Sequence, residues 1–472
     1  MIDGYIDDVA YPAQFHREMT PAWIDAVGRG LGCAMPDLSA PFRWCELGCG
    51  SGMNSLVSAA THPLGRFVAV DASASLLGKA RAAAEAAGLR NLELVQASFE
   101  TLAESAEGRM APFDVIVTHG VLSWIAPGQR AALLRFIGRF LKPGGIVYAH
   151  YMTQPGLAAA MPLQQLARRH AALLQGSSAQ RARESLAFLS RLSEAGAGFF
   201  AAHPQERQRL DAARALAPDA LAHELLPMHW EAFHVADMME RFGGAGCVYR
   251  GSATPLDNID AVSLPAAMRP LLKDIADPVL LETARDFCRN QSLRRDLYQR
   301  GGAPLAAEQH LRALEALALA ILPGAPTGGG DLTFDTPTGP VAGEGRLFGP
   351  ILAALRQGPR TVAELLRLPG FSPHPALLNQ AVQMLLWSGA AHPVARPLPD
   401  PSACWALNRH LAREDGPGWL AAPALGTALP ATAEAMAMAR AALADPKGAR
   451  ISGDLRGIHA RWVAYGVLPG AG

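Results

Sequence analysis

The sequence predicts an α/β protein whose core is a parallel, doubly wound sheet with helices on both faces. Apolar segments of strand length alternate with helix-like segments from residue 42 to residue 151, and this alternation is typical of such a sheet. A glycine-rich turn, GCGSG at 48–52, directly follows the first of these strands. In this architecture the ligand crevice lies at the carboxyl ends of the strands, so the turn falls where a ligand is expected.

The elements of this core are predicted in order along the chain. Short apolar runs predict strands over 42–47, 66–70, 92–96, 113–120 and 146–151. Helical periodicity predicts helices over 53–60, 73–87 and 129–141. The second helix is stopped by Gly88 and the third by KPGG at 142–145, because glycine and proline end regular structure.

Composition changes after the core. Residues 155–218 are rich in Ala, Leu, Arg and Gln, which predicts a helical insertion. The sheet is then expected to be completed within 219–302 by a strand at HELLP (223–227), a helix over 234–246 and a strand over 247–253. The rest of this part, 256–300, is expected to be helical.

The C-terminal third predicts a smaller domain. The Gly- and Pro-rich stretch within 303–345 predicts a linker. Three helical stretches follow, and then HPVA and CWALNRHLA, which we interpret as a two-stranded wing; this order is winged-helix-like. The helix over 374–389 lacks Lys and Arg, so we expect a packing, substrate or dimer module rather than a DNA reader. The expected divisions are 1–41 (N-terminal lid or helical segment), 42–154 (core), 155–218 (insertion), 219–302 (sheet completion), 303–345 (linker) and 346–472 (C-terminal domain).

Charge and cysteine usage exclude several classes of protein. The chain has 472 residues with 42 Lys plus Arg and 42 Asp plus Glu, and a zero net charge argues against a general nucleic-acid binder. The six cysteines form no CxxC pair, so neither a zinc site nor a disulfide framework is expected, and no metal. The acidic N-terminus and the absence of ~18 consecutive apolar residues predict a reduced, cytoplasmic protein without a membrane span.

The most informative motif is ELGCGSG at 46–52, in which an acid precedes three alternating glycines. The dinucleotide pattern GxGxxG fails, since its last glycine would fall on Met53. Asp71 follows the second strand, 19 positions after Gly52. With FDVIV in the fourth strand and LKPGG before the fifth, this spacing resembles the class I S-adenosylmethionine-dependent methyltransferases. The resemblance implies a Rossmann-like core and S-adenosyl-L-methionine as the cofactor.

The resemblance also implies which residues bind that cofactor. Glu46 would anchor the turn and the methionine amino group, and Asp71 would hold the ribose. The glycine turn and the end of the second strand would line the cofactor with Gly48, Cys49, Gly50, Gly52 and Ala72. Ser98 replaces the acid that normally meets the adenine amine, and Phe99 beside it would either stack on the ring or pack in the core. His119, at the end of the fourth strand, would face the sulfonium.

The sequence carries fewer motifs that identify the methyl acceptor. The fourth strand ends in THGV and not in the Asp- or Asn-Pro-Pro-aromatic sequence that amine-methylating DNA enzymes carry, so base methylation is disfavoured. An amine acceptor must lose its proton before it attacks, by desolvation or to a base. The candidates for that base are His119, His150 and Tyr151 and, in the N-terminal segment, Tyr5, Tyr11 and His16. Tyr151 and His150 could equally be structural residues that end the fifth strand.

A second resemblance covers most of residues 5–300. YIDDVAYPAQFHREMTP, HGVLSWI, LAHELLPMHWEAFHVADMMERF and DFCRNQSLRRDLY are similar to segments of methyltransferases that carry a regulatory domain after the catalytic core. That family includes rickettsial-type protein-lysine methyltransferases acting on outer-membrane proteins. The chain departs from it at Arg17-Glu18-Met19-Thr20-Pro21, where Gln-Thr-His-Pro is frequent, and at Met152, where Asn is frequent.

Three functions follow as alternatives. The leading one is N-methylation of a protein side chain, lysine, and the others are O- or N-methylation of a small molecule of secondary metabolism, and a non-catalytic cofactor-binding scaffold. An enclosed pocket under the insertion would favour the small molecule, and an open acidic groove would favour the lysine. A homodimer is an open alternative to a monomer. Arg289, Arg294 and Arg295 are expected to form a solvated helix end or a basic face. The spacing of the three histidines within 223–234 favours structural histidines over metal ligands.

Overall fold

The centre of the computed structural model is a seven-stranded sheet. Its strands are β1 (Phe42–Leu47), β2 (Gly65–Asp71), β3 (Leu92–Gln96), β4 (Phe113–Thr118), β5 (Leu141–Met152), β6 (Cys247–Ser252) and β7 (Leu293–Arg300). The spatial order is β3-β2-β1-β4-β5-β7-β6, with the first five strands parallel and β7 antiparallel to both its neighbours. The structure describes residues 4, 6, 8, 9, 13–105, 110–326, 332–413 and 416–470.

The doubly wound α/β prediction is confirmed, and the strand positions agree closely. Helices α1 (Pro21–Gly30), α2 (Met53–Thr61), α3 (Ala74–Ala87), α4 (Phe99–Ser105) and α5 (Pro127–Phe140) accompany the parallel strands. Helix α3 shows why the sequence folds this way: Ser73 caps its first turn by accepting from the Leu76 backbone N–H, and Gly88 ends it with φ +64°. Strand β5 begins earlier than expected because Leu141 already pairs with Phe113.

The predicted insertion is helical. It comprises α6 (Ala160–Ala171), α7 (Ser178–Glu194), α8 (Gly198–Ala202), α9 (Pro204–Ala213) and α10 (Pro218–Leu225). These helices share an apolar cluster of their own, to which Ile6 of the N-terminal segment also belongs. The strand predicted at HELLP is wrong: these residues end α10, because Ala222 and Leu226 belong to this helical cluster rather than to the sheet.

The part after the insertion completes the sheet. It contains α11 (Val235–Gly244), α12 (Asp260–Ser263), α13 (Arg269–Leu272) and α14 (Pro278–Arg289), besides β6 and β7. The helix and strand predicted at 234–253 are confirmed. The helical prediction for 256–300 is wrong at its end, since residues 293–300 form β7 between β5 and β6. Helix α14 stops at Asn290, which adopts the left-handed conformation with φ 49°.

The C-terminal third holds short sheets among helices. Its elements are α15 (Ala307–Glu315), β8 (Ala318–Ile321), β9 (Leu332–Thr336), β10 (Gly339–Gly343), α16 (Gly345–Arg356), β11 (Arg360–Thr361), α17 (Val362–Leu365), α18 (Pro375–Trp387), β12 (Ala391–Pro393), α19 (Ser402–Leu411), β13 (Trp419–Ala422), β14 (Thr427–Pro430), α20 (Ala433–Ala444) and α21 (Arg456–Ala464). Strand β8 is the central strand of a sheet with β11 and β12, so the stretch expected as a linker contains regular structure.

The predicted two-stranded wing is wrong at its second strand. HPVA contributes β12, but CWALNRHLA forms the helix α19. Its buried Cys404, Leu407 and Leu411 lie on one side of the helix and share an apolar cluster with α2 and α3 of the core. The helical spacing of these apolar residues explains why the segment forms a helix and not a strand. Within the described residues, no helix is both long and apolar enough to cross a bilayer.

Candidate cofactor and acceptor site

A cavity of about 440 Å³ lies at the carboxyl ends of β1, β2 and β4. This is the edge of the sheet where a doubly wound fold binds its ligand. Of the predicted cofactor residues, those that line the cavity are Glu46, Gly48, Cys49, Gly50, Asp71, Ala72, Ser98, Phe99 and His119. Gly52 is not among the lining residues, and it instead caps α2. The fold therefore brings all of the predicted cofactor residues except Gly52 to one cavity.

The glycine turn is held against the second strand. The backbone N–H groups of Gly48 and Cys49 both donate to the carbonyl of Val70, at 2.8 and 3.0 Å. Gly48, Gly50 and Gly52 adopt φ values of +78°, +56° and +74°, in the left-handed region that favours glycine. A Cβ at Gly48 would approach Val121 to 2.3 Å, whereas one at Gly50 would meet no atom within 4 Å. The turn thus presents open space above Gly50.

Asp71 joins the turn to the end of β2. Its Oδ2 accepts from the Gly50 backbone N–H at 2.8 Å, and its Oδ1 accepts from the Ser73 backbone N–H at 2.9 Å. Burial raises the pKa of Asp71, and these backbone hydrogen bonds oppose the rise. Each carboxylate oxygen still has a second lone pair, so the side chain retains acceptor capacity towards the cavity.

Glu46, at the end of β1, is buried under the same turn. It accepts a short hydrogen bond from the Ser55 hydroxyl. Burial raises the pKa of Glu46 to about 8. The hydrogen bond from Ser55 opposes this rise, and the nearby Asp71 carboxylate adds to it. A cationic group in the cavity would favour the ionised form of this side chain.

Ser98 and Phe99 follow β3. The Ser98 hydroxyl donates to the Thr101 hydroxyl at 2.9 Å and accepts from the Thr101 backbone N–H at 3.1 Å. Ser98 therefore caps the start of α4. Phe99 is buried, and its backbone N–H donates to Gln129 at 3.0 Å. Phe99 belongs to the core cluster, in agreement with the packing interpretation, and it also lines the cavity.

Three histidine rings are stacked at the end of β4. His119 lies between His16 and His150, with ring centroids 3.6 and 3.9 Å apart and interplanar angles of 15° and 4°. The His119 Nδ1 is 2.9 Å from the Tyr148 hydroxyl, and the His150 Nδ1 accepts from the Gly120 backbone N–H at 3.1 Å. We name His16, His119 and His150 the histidine stack. His16 and His119 line the cavity.

Burial keeps the histidine stack uncharged. Desolvation lowers the pKa of His16 to about 4 and that of His150 to about 3. It also lowers the pKa of His119 well below its ordinary value, and the two flanking rings add to this effect. The acceptor side of the cavity therefore presents neutral imidazoles over the ordinary pH range.

Asn54 fixes the N-terminal segment over the cavity. Its Oδ1 accepts from the His16 backbone N–H at 3.0 Å, and its side-chain amide donates to the His16 carbonyl at 2.6 Å. Asn54 lies in the first turn of α2, directly after the glycine turn. No motif in the sequence pointed to this residue, because the pairing joins positions 38 apart in the chain.

The N-terminal segment and the insertion also line the cavity, and we name this part of the lining the roof. Ile6, Asp8 and Val9 line the cavity together with His223 from α10. Asp8 accepts from the Ser178 backbone N–H at 2.8 Å, which ties the N-terminal segment to the insertion. Trp124 and Ile125 contribute an apolar wall. His223, expected as a structural histidine, is thus part of the cavity lining.

Tyr151, another predicted catalytic residue, does not line the cavity. Tyr151 is fully buried and donates to Asp296 at 2.5 Å, on the side of β5 away from the histidine stack. This placement fits the alternative in which Tyr151 simply ends its strand. Tyr5 and Tyr11 lie outside the described residues.

The predicted basic face around Arg294 is also absent from the described surface. Arg294 is buried and pairs with Glu282, Asp286 and Asp296. Because residues 293–300 form a strand, Arg294 points into the protein and is neither a solvated helix end nor part of a basic patch.

Two family models match the chain. A model described as a methyltransferase domain matches residues 45–147, and one described as a predicted methyltransferase regulatory domain matches residues 217–300. The first match contains the glycine turn and Asp71. The second contains α11, β6, α14 and β7, which complete the sheet.

The chain is similar to several known proteins. An uncharacterised protein of Synechocystis sp., sll1526, is 34% identical over 363 residues, which are 77% of this chain and 71% of that protein. Trans-aconitate 2-methyltransferase of Azoarcus sp. is 34% identical over 102 residues, which are 22% of this chain and 36% of that enzyme. PKMT2 from Rickettsia typhi, solved in complex with AdoHcy, has a TM-score of 0.69 at 18% identity and covers 91% of this chain and 88% of its own. The last similarity shows a shared fold.

Proposed function

The chain belongs to the class I S-adenosylmethionine-dependent methyltransferases that carry a methyltransferase regulatory domain, and we propose that it methylates the side-chain nitrogen of a protein lysine. S-adenosylmethionine supplies an electrophilic methyl group on a sulfonium sulfur. We propose that Gly48, Cys49 and Gly50 line this cofactor, that Asp71 binds its ribose and that Glu46 faces its amino group. Ala72, Ser98 and Phe99 would surround the adenine end.

The charge of the cavity lining carries the acceptor proposal. Among the described lining residues, the acidic side chains are Asp8, Asp71 and Glu46, of which Glu46 is largely protonated at pH 7, and the one cationic side chain is Lys79. This excess of acidic side chains favours a cationic acceptor over a carboxylate. Trp124 and Ile125 fit the apolar stem of a lysine, which can reach under the roof. The fold shared with PKMT2 over most of both chains adds support.

The chain's residues would align the reaction and exclude water. A neutral acceptor nitrogen forms its bond to the methyl carbon as the carbon–sulfur bond breaks, which leaves a methylated ammonium and a neutral thioether. The enzyme mainly supplies proximity and alignment for this displacement. Desolvation under the roof, next to uncharged imidazoles, favours the deprotonated amine.

A methyl-labelling experiment tests the acceptor. Cell extract incubated with the protein and methyl-labelled S-adenosylmethionine is expected to carry label on a polypeptide, and blocking the extract's lysines beforehand should abolish it. The Gly50→Val variant provides the background. Label on polypeptides after lysine blocking would contradict lysine as the acceptor.

The roof gives a specific reason to retain a second candidate. Ile6, Val9 and His223 add to the lining of a concave pocket, and such a pocket favours a small molecule. The similarity to a trans-aconitate methyltransferase over about a fifth of the chain also favours a small molecule. A substrate with several carboxylates would, however, find only one cationic side chain, Lys79, among the described lining residues. Label found only in the small-molecule fraction of the same extract would establish this candidate.

Cofactor binding is expected to release a proton from Glu46. At pH 7 the free protein holds this group largely protonated, since its pKa is about 8. A bound ammonium group favours the carboxylate and lowers the pKa, so the proton leaves at pH 7 and the release disappears above about pH 9. Calorimetry of S-adenosylhomocysteine binding in two buffers of different ionisation enthalpy measures the release. Glu46→Gln should remove it, and equal release in both proteins would contradict the assignment.

A further inference from the structure

Strand β7, within the segment that matches the regulatory-domain model, brings an arginine behind the histidine stack. Arg295 is directly opposite His150 in the antiparallel pairing of β5 and β7. Residues opposite each other in such a pair project from the same face of the sheet. Tyr148 lies two residues before His150 and so shares that face. Arg295 therefore stands on the side of the sheet where His119, His150 and His16 are stacked.

The guanidinium of Arg295 has no carboxylate partner among the described residues within 4.0 Å. Its Nε is buried without a hydrogen-bond partner in the same part of the chain. The neighbouring Arg294 differs completely, because three carboxylates surround it on the other face. A half-buried arginine that lacks a counter-ion imposes its positive charge on the groups around it.

We propose that Arg295 is a positioning residue of the acceptor site, whose charge disfavours any further positive charge beside the histidine stack and thereby favours an uncharged acceptor amine. The consequence for methyl transfer rests on the proposed N-methylation. The step itself adds no chemistry: the amine proton leaves to solvent before the nitrogen–carbon bond forms. The inference gives the regulatory segment a direct contribution to the catalytic pocket.

The electrostatic neighbours agree with this placement. After burial, Arg295 lowers the pKa of His16 and of His150, and it also lowers that of His119. Among the described residues, the Glu18 carboxylate opposes this effect at His16. Arg295 also acts on Asp257, where it opposes the rise that burial causes in the pKa. A second cation beside the stack and the sulfonium would be costly, so a neutral amine is the form that fits.

Histidine titration by NMR tests the inference without any acceptor. The full chain is labelled with [¹³C]histidine, and the signals of the stack are assigned with single His→Asn variants. Arg295→Gln is expected to raise the titration midpoints of the stack by about one pH unit, because a like charge within about 4–6 Å shifts a pKa by that order. Arg295→Lys, which keeps the charge, should leave the midpoints low. Arg250→Gln, on β6, is the matched control and should change nothing.

Unchanged midpoints in Arg295→Gln would overturn the proposal. If that variant does not fold, Arg295→Lys decides, since raised midpoints there would show that charge is not what matters. S-adenosylhomocysteine binding is measured on the same samples to confirm an intact cofactor site. Because no acceptor is present, this result is independent of whether label later appears on polypeptides or on small molecules.

Discussion

Replacing Arg294 with methionine is expected to lower the free energy of unfolding by about 3–5 kcal/mol, the cost of removing one partner from a buried ionic network. Arg294 contacts Glu282 at 2.9 Å, Asp286 at 2.5 Å and Asp296 at 3.0 Å. Its guanidinium also donates to the Tyr249 hydroxyl at 2.8 Å. The variant would leave three buried carboxylates without this cation, and that uncompensated charge is the source of the loss.

The loss should depend on pH with a defined sign. Burial already raises the pKa of Asp286 to about 7 and raises that of Asp296 against the influence of Arg294. Without Arg294 these pKa values rise further, so the folded variant binds more protons than the unfolded chain. Stability then increases as the pH falls, and the deficit should be smaller at pH 5 than at pH 8.

Urea unfolding of the wild type and the variant at both pH values measures these effects. Arg312→Met is the matched control, because Arg312 makes an exposed ion pair with Glu308 and its loss should cost at most about 1 kcal/mol. A deficit at Arg294 no larger than that of the control, or one that grows towards pH 5, would contradict the network as the cause.

Arg294 also shows where sequence reasoning reached its limit. The parallel strands were predictable because both faces of β1, β2 and β4 are covered, which produces continuous apolar runs. Strand β7 is LRRDLYQR, and its Arg294 and Asp296 are buried as an ion pair. Charged residues that neutralise each other across a fold do not appear in hydrophobic periodicity. The segment therefore resembled a polar helix end.

The residues of the site also fall into a group that the sequence predicts and a group that it does not. Glu46, the glycine turn and Asp71 lie within one βαβ unit, so their spacing in the chain fixes their arrangement in space. His16, His223 and Arg295 come from three distant segments. Only the tertiary fold brings the N-terminal segment over α2 and places β7 beside β5. The cofactor half of the cavity could thus be predicted from local sequence, and the acceptor half could not.

Gly50→Val is expected to weaken S-adenosylhomocysteine binding by at least about 100-fold, or about 2.7 kcal/mol, and to abolish its thermal shift. A Cβ at Gly50 meets no protein atom within 4 Å, so a valine side chain would project into the cavity without a clash inside the protein. Its volume would compete with the cofactor next to Asp71. Gly48 is unsuitable for this test, because a Cβ there would strike Val121 at 2.3 Å.

Backbone strain is the effect that must be separated from steric exclusion. A non-glycine residue in the left-handed region costs roughly 1–2 kcal/mol wherever it occurs. Gly88→Val is a matched control, since Gly88 has φ +64° against +56° at Gly50, and a Cβ there also meets nothing within 4 Å. Both variants should lose similar stability, measured by thermal unfolding, and only Gly50→Val should lose the ligand-induced shift. A full shift in Gly50→Val, or equal losses of binding in both, would mean that the open space above the glycine turn is not where the cofactor binds.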